Sequence, residues 1–381
     1  MLVSDEIVAV AMSGGVDSSV AAALLVERGY NVIGLMMRLW GEPHPPPLSP
    51  GEVQSGEGGG GQGRVRGEAD ARAVCAKLDI PFYLLDFEAE FKTHVVDFFV
   101  SGYTRGITPN PCLQCNRLIK FGALLGNARA LSASHLATGH YARIRERAGK
   151  FELLRGVDPN KDQSYALHVL TQKQLAHALF PLGAFAKTQV REMARRFGLP
   201  VAEKDESQDV CFIAEGDYRD FLHRHASTHL VPGDIVDTHG NVLGRHNGLA
   251  FYTIGQRKGL GVAVGEPLYV LALDAARNVV TVGHAEELGR RELVADAVNW
   301  IAGDAPRGEI RVAAKIRYRA IEVPATLTPI PSPYQGDGRV RVLFDHPLRD
   351  ITPGQAVVFY DGDMCLGGGV ISQSGDQSIG N

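Results

Sequence analysis

No run of about 18 apolar residues occurs in the sequence, so no segment is expected to span a membrane. The N-terminal stretch MLVSDEIVAVAMSGG lacks a basic region and passes straight into strand-like text. No signal peptide is therefore expected, and the expected location is cytoplasmic. Cysteine is scarce: five in 381 residues, an odd number. That argues against a disulfide framework and fits a reducing compartment. Positive charge is not in excess either, because the formal net charge is -4. Nothing global advertises a nucleic-acid partner, so any RNA surface has to be a local patch. Against these absences stand 45% hydrophobic and 22% charged residues, which are ordinary globular values. The length exceeds one ordinary core and predicts two or three domains.

The first half of the chain alternates strand and helix signals. EIVAVAM (6–12) is a short apolar run that reads as a buried strand, and DSSVAAALLVERG (17–29) is a helix stopping at Gly29. NVIGLMMRLW (31–40) is a second strand, DARAVCAKLDI a helix and PFYLLDF another strand. KFGALLGNARALSA reads as a helix and HLATGHYARI (135–144) as a strand leaving through Gly139. This is the alternation of an α/β domain with a doubly wound parallel sheet, expected over 1–207. Residues 43–67 interrupt it with Pro, Gly and Ser and little to bury, and predict a disordered insertion. Beyond the α/β domain one short helix, DYRDFLHRHA, leads into a small, mainly β central domain over 208–284. Short strands broken by Gly, Pro and Asp then predict a C-terminal β-barrel of six or so strands over 285–373. Within it LTPIPSPYQGDG (327–338) reads as an extended hairpin loop.

AMSGGVDSS (11–19) carries the strongest chemical signal, lying between a strand and a helix. Two glycines let the backbone approach a ligand, and Ser13, Ser18 and Ser19 offer hydroxyls. N–H groups at the helix start face an anion with the helix dipole behind them, so the stretch reads as a phosphate cradle. It lacks the lysine of a Walker A loop, so γ-phosphate transfer is not expected. The plain alternative is a glycine turn with Asp17 as a helix N-terminal carboxylate.

TPNPCLQCNR (108–117) places two cysteines three apart, and no second CxxC exists to complete a zinc knuckle. Cys75 on a core helix and Cys365 in a late strand read as buried and inert. Cys112, Cys115 and Cys211 in SQDVCFI remain as candidate thiols, each with a plain buried thiol as its bland reading. A nearby helix N-terminus with Arg117 and Lys120 is expected to lower the pKa of Cys115 and favour its thiolate. The basic and aromatic clusters GQRKGLG and KIRYR are the candidate RNA patches, or else solvated strand faces. His140 alone would more often be a satisfied structural histidine.

SGGVDSS resembles the PP-loop of the N-type ATP pyrophosphatases, which cleave ATP between the α- and β-phosphates and adenylate a substrate. MSGGVDSSV, TPNPCLQCNRLIKF, ATGHYARI, NKDQSYAL, SQDVCFI, YTIGQRKGLG, KIRYR and TPGQAVVFY resemble, in order, blocks of the bacterial tRNA-specific 2-thiouridylases. The resemblance implies ATP-dependent 2-thiolation of the wobble uridine of tRNA, with ATP and Mg2+ as cofactors. Partners would be tRNA and a persulfide sulfur carrier or cysteine desulfurase. It implies an ATP site lined by Ala11, Met12, Ser13, Gly14, Gly15, Val16, Asp17, Ser18, Met37 and Gly139, with Asp17 helping to place the metal. Cys211 would carry the persulfide and Cys115 would close a disulfide with it as sulfur is released. Cys112 stands where some relatives have an aspartate proposed as an acid/base group. His140, Lys161, Asp162, Gln163, Arg317, Tyr318 and Gln355 would touch tRNA.

Three other readings remain open on the sequence. Cys112, Cys115 and Cys211 could ligate a [4Fe–4S] cluster. The chain could be an RNA-binding module whose ATP site does not turn over, or a PP-loop enzyme adenylating a small metabolite.

Overall fold

The computed structural model describes residues 4–41, 59–205, 210–213, 217–227, 230–262, 265–331 and 338–372. It divides into two compact units, Met1–Val96 with Cys112–Gly216 and Asp97–Pro111 with Asp217–Asn381.

In the first unit the strands are β1 (Ser4–Met12), β2 (Tyr30–Arg38), β3 (Phe82–Asp86), β4 (Ala133–Ala137), the hairpin β5 (Ala142–Arg147) and β6 (Lys150–Arg155), and the short β7 (Ala178–Leu179). Five of them form a parallel sheet in the order β3-β2-β1-β4-β7. The central strand β1 is apolar on both sides: Val8, Ala9 and Val10 have no solvent exposure. Helix α1 (Val16–Glu27) buries an almost unbroken run from Val16 to Leu25, the pattern of a helix covered all round. It stops where Gly29 takes φ +85°, the left-handed backbone that glycine permits at a helix end. Helix α2 (Gly59–Lys77) and the helix Lys187–Arg196 add Val74, Val190 and Ala194 to the same core. The chain runs outward from β1 through β2 to β3, then returns to start β4 on the other side of β1. That reversal is a topological switch point, and ligands of such sheets bind outside the carboxyl ends of the strands beside it.

Two expectations change here. The strand expected over 135–144 is two strands in different pairings. β4 ends at Ala137, and after a turn β5 begins at Ala142 in an antiparallel hairpin with β6. β4 is mostly buried between parallel neighbours, whereas β5 carries Arg143, Arg145 and Arg147 and becomes exposed toward its end. The insertion expected over 43–67 is shorter, because α2 already begins at Gly59. Residues 42–58 lie outside the described residues.

In the second unit Asp217 caps the helix Tyr218–His225, its carboxylate accepting from the N–H groups of Arg219 and Asp220. A four-stranded sheet follows, built from β8 (Gly233–Val236), β9 (Val242–His246), β10 (Tyr269–Asp274) and β11 (Val279–Gly283) in the order β10-β11-β8-β9. Ile235, Val270, Val280 and Val282 form its core. The remaining strands are β12 (Arg290–Trp300), β13 (Ile310–Lys315), β14 (Val323–Ile330), β15 (Arg339–Leu348), β16 (Ala356–Asp361) and β17 (Met364–Ile371). They are joined in the order β12-β15-β14-β13-β16-β17, and β12 also pairs with β17, so the six strands close on themselves. Closure removes sheet edges, and the interior is filled by Val312, Ala325, Leu327, Val340, Phe344 and Phe359. Leu327 to Ile330, expected in a loop, belong to β14, while 332–337 lie outside the described residues.

His168 in the first unit is buried, with Nδ1 donating to the Tyr165 carbonyl at 2.7 Å. Burial pushes its pKa from 6.5 to about 4. The unfolded chain takes up a proton that the folded chain refuses between those values. Stability should therefore be lost as pH falls from about 6.5 to about 4, with no further loss from this group below. His168→Gln should flatten that part of the urea-denaturation profile by up to about 3 kcal/mol. An unchanged acid limb would contradict the assignment.

Candidate active site

The phosphate-cradle stretch begins at the carboxyl end of β1, where Ala11 and Met12 still lie in the sheet, and turns through Ser13, Gly14 and Gly15 into α1. Gly14 has φ +70°, which only glycine adopts without strain. Serines set the loop's shape. Ser18 Oγ accepts from the Ser13 N–H at 3.2 Å and lies 3.1 Å from Ser13 Oγ. Ser19 Oγ donates to the Gly15 carbonyl at 2.8 Å. Gly15 is the N-cap of α1 and supplies no side-chain cap. The first-turn N–H groups, which have no intrahelical partner, are left for an anion. Gly139, in the turn after β4, closes the other side: a Cβ there would stand 2.8 Å from the Asp17 carbonyl carbon and the Ser18 nitrogen. Met37 lies on β2, one strand away.

Asp17 is the hub of this loop. Its Oδ1 accepts from Tyr141 Oη at 2.8 Å and from Lys187 Nζ at 2.7 Å. A second ammonium, Lys204 Nζ, donates to the Gly14 carbonyl at 2.9 Å and to Asp70 Oδ2 at 2.5 Å. Sequence reading named Asp17 but missed Tyr141, Lys187 and Lys204. Tyr141 sat inside a quoted block, ATGHYARI, beside the two residues that were singled out. The lysines carry no local signal: they lie 170 and 190 positions from their loop partners.

The two cysteines of TPNPCLQCNR lie on a helical run, Pro111–Gln114 continuing as a π-helix, Cys115–Leu124, and then Leu125–Ala130. π-Helical turns misalign carbonyls and often occur at functional sites. Here Gln174 Nε2 donates to the Arg117 and Phe121 carbonyls, both at 3.0 Å, and Asn116 Nδ2 to the Ala166 carbonyl at 2.9 Å. Cys112 is exposed, whereas Cys115 is 7% exposed. Burial raises the Cys115 pKa, the neighbouring Cys112 adds to the rise and Lys120 only partly opposes it. This reverses the expectation of a lowered pKa: desolvation outweighs the nearby cation, and Arg117 acts on His168 instead.

Cys211 belongs to the same unit. Its neighbour Phe212 is buried edge-on against Phe91, ring centroids 5.9 Å apart, and the helix Glu88–Phe91 packs on Cys115–Leu124. Solvent reaches Cys211 from one side, yet the protein around its thiol pushes it up to about 12. Cys115 and Cys112 push the same way, and Lys120 pulls it back. Cys115 and Cys211 thus share the influence of Cys112 and of Lys120. Cys75 and Cys365 are buried, with burial raising the Cys75 thiol to about 11. Among the described residues no group of three His, Cys, Asp or Glu side chains is placed to hold a metal ion, so the three thiols do not present a [4Fe–4S] ligand set.

The residues expected to touch RNA divide. Two are buried. His140 lies against the Phe121 and Phe180 rings with Nδ1 2.7 Å from Thr138 Oγ1, and burial pushes its pKa well below the usual range. Asp162 is 5% exposed and holds its own loop, accepting from the N–H groups of Gly156 and Ser164 and from Ser164 Oγ. Gln163 Oε1 accepts from the Tyr141 N–H at 2.9 Å, and Gln355 Nε2 donates to the Thr108 carbonyl at 3.1 Å. Lys161 lies on the turn just before Asp162, half-buried. In the second unit Arg317 and Tyr318 are exposed on a turn, with Arg317 paired to Asp350. GQRKGLG is not a strand face but a turn-rich loop, with Gly255, Gly259 and Gly261 in left-handed backbone and Arg257 and Lys258 exposed.

Three family profiles cover the chain: "tRNA methyl transferase HUP domain" over residues 6–215, "tRNA methyl transferase PRC-barrel domain" over 219–284 and "Aminomethyltransferase beta-barrel domain" over 290–371. The chain is 54% identical to a tRNA-specific 2-thiouridylase MnmA of Moorella thermoacetica, over 95% of this chain and 98% of that protein. It is 49% identical to a protein of the same name from Heliobacterium modesticaldum, over 98% and 94% of the two chains. A third, from Caldanaerobacter subterraneus, is 48% identical over 96% and 98%.

Two outcomes test this geometry. Iodoacetamide at pH 8 should label Cys112 first and Cys211 slowly despite its exposure, with Cys211 labelling rising as pH approaches 12; peptide mass spectrometry reads the order. Rapid labelling of Cys115 would show that burial does not govern it. Gly139→Ala should weaken binding of a non-hydrolysable ATP analogue roughly 10- to 100-fold, because overpacking against backbone costs about 1–3 kcal/mol.

Proposed function

The chain belongs to the tRNA-specific 2-thiouridylase family, and from that premise we propose how its own residues carry out ATP-dependent thiolation of a tRNA uridine. What supports the reading is that Cys115 and Cys211 both belong to the unit that holds the phosphate cradle, with Phe212 packed on Phe91 of the short helix that lies on Cys115–Leu124.

The C2 oxygen of uridine is a poor leaving group. Its attack on the α-phosphate of ATP gives an adenylate and releases pyrophosphate. Ala11 to Ser18, Met37 and Gly139 line the nucleotide. The N–H groups at the start of α1 meet developing phosphate charge, and Asp17 would help hold the magnesium ion that accompanies ATP, which would supply further charge stabilisation. Cys211 carries a persulfide, received from a sulfane-sulfur donor protein. Its terminal sulfur attacks C2 and AMP departs. The Cys115 thiolate then attacks Cys211 Sγ, and the S–S electron pair leaves with the sulfur on C2, giving the thiocarbonyl. A Cys115–Cys211 disulfide remains, which an external dithiol reduces.

The raised pKa values of both thiols fit this order of events. A thiol held protonated does not react early with solvent oxidants or with the adenylate. Lys120 is the cation positioned to favour thiolate once the surroundings change. A single cysteine could hold sulfur but not release it by this route. On the RNA side, Lys161, Arg317 and Tyr318 are the contacts we retain, with Arg257 and Lys258 beside them in character. A wobble uridine is unstacked, so turning it into a pocket costs only a few kcal/mol. No helix among the described residues is long and apolar enough to cross a membrane.

The [4Fe–4S] reading is not favoured, because the thiols do not present a metal-ligand group among the described residues. Methyl transfer, which the profile descriptions mention, would leave the phosphate cradle and the paired thiols without a task.

Mass spectrometry of tRNA nucleosides after incubation with ATP, magnesium and a persulfide source should show 2-thiouridine. Cys115→Ser and Cys211→Ser should each abolish it, while ATP-dependent pyrophosphate release survives in at least one. Normal thiolation by either serine variant would sink the two-thiol route.

A further inference from the structure

Stabilising a departing pyrophosphate takes positive charge, yet Ser13–Ser18 contains no cationic side chain. The fold brings two lysines to the loop from elsewhere. Lys187 Nζ lies 2.7 Å from Asp17 Oδ1 and 5.9 Å from the centre of the Tyr141 ring, with the side chain 11% exposed. Lys204 Nζ lies 2.9 Å from the Gly14 carbonyl and 2.5 Å from Asp70 Oδ2. One ammonium therefore stands at each end of the short span Gly14–Asp17, the span whose N–H groups face an anion.

Bracing does not account for Lys187. The helix it begins is already held by Val190 and Ala194 in the core, and Arg196 pairs with Glu27 of α1 at 3.0 Å. The Lys187 N–H is bound to Asp158 Oδ2 at 3.0 Å, so the helix start is fixed without the ammonium. Lys204 bridges a carbonyl of the loop itself, that of Gly14, and Asp70 of α2.

We propose that Lys187 and Lys204 form the cationic half of the triphosphate site, holding the β- and γ-phosphates of ATP and then the pyrophosphate that leaves. Asp17 and Asp70 store the two ammonium groups at the loop before nucleotide arrives. The proposal rests on the ATP-using reading above and adds to it the residues that replace the missing Walker lysine.

The test compares binding of an α,β-methylene ATP analogue with binding of AMP, by calorimetric titration of the full-length protein. Lys187→Ala and Lys204→Ala should each weaken the ATP analogue about tenfold or more, the loss of a charge-assisted contact, and leave AMP within about twofold. Lys187→Arg and Lys204→Arg should recover most of the affinity. Variants that bind the ATP analogue as tightly as the unaltered chain overturn the proposal. So do variants that lose AMP and the ATP analogue equally, which is the mark of a structural role. If the unaltered chain binds neither nucleotide, the ATP-using reading itself fails, and that result is distinct from the other two.

Discussion

One carboxylate organises the nucleotide half of this protein. Asp17 lies in the first turn of α1, just beyond a glycine pair, and two segments far apart in sequence converge on it: the β4–β5 turn through Gly139 and Tyr141, and the helix Lys187–Arg196 through Lys187. The turn can come so close only because residue 139 has no side chain. The carboxylate thus ties both sides of the topological switch point together while the loop keeps its N–H groups turned outward. A helix start left without a side-chain cap is ordinarily a minor cost in stability. Here that cost buys an anion site.

The sulfur half rests on desolvation. Cys115 and Cys211 are both pushed toward the protonated form, Cys115 by burial and Cys211 by packing and by its thiol neighbours. Lys120 is the one cation acting on both of them and on His140. The π-helical turn that begins at Cys115 exposes carbonyls of Arg117 and Phe121 that Gln174 satisfies, so this irregular backbone is held by a side chain from the short helix Gln172–Leu175. Irregular backbone at a reactive residue is the usual price of aiming it.

Much of the architecture could be read ahead of the structure because it is local. The apolar run of β1, the alanine-rich α1 with Gly29 as its stop, the buried Cys75 and the strand texture of the closed barrel each depend on near neighbours. The errors came where tertiary context decides. HLATGHYARI looks like one strand, yet its first half is buried in a parallel sheet and its second half turns into a hairpin. His140 and Asp162 carry the right chemistry for RNA contact, but their neighbours enclose them. Cys115 has basic residues at the right spacing for a low pKa, and burial overrides them.

The glycine-serine turn after β1, the three candidate thiols and the order of the elements could be read from the sequence by itself, because short-range spacing decides each of these. Only the tertiary structure decided which charges face them. Lys187 and Lys204 reach the loop across separations that no local pattern encodes. Electrostatic influence depends on distance and burial in space, and those are properties of the packed chain rather than of its order.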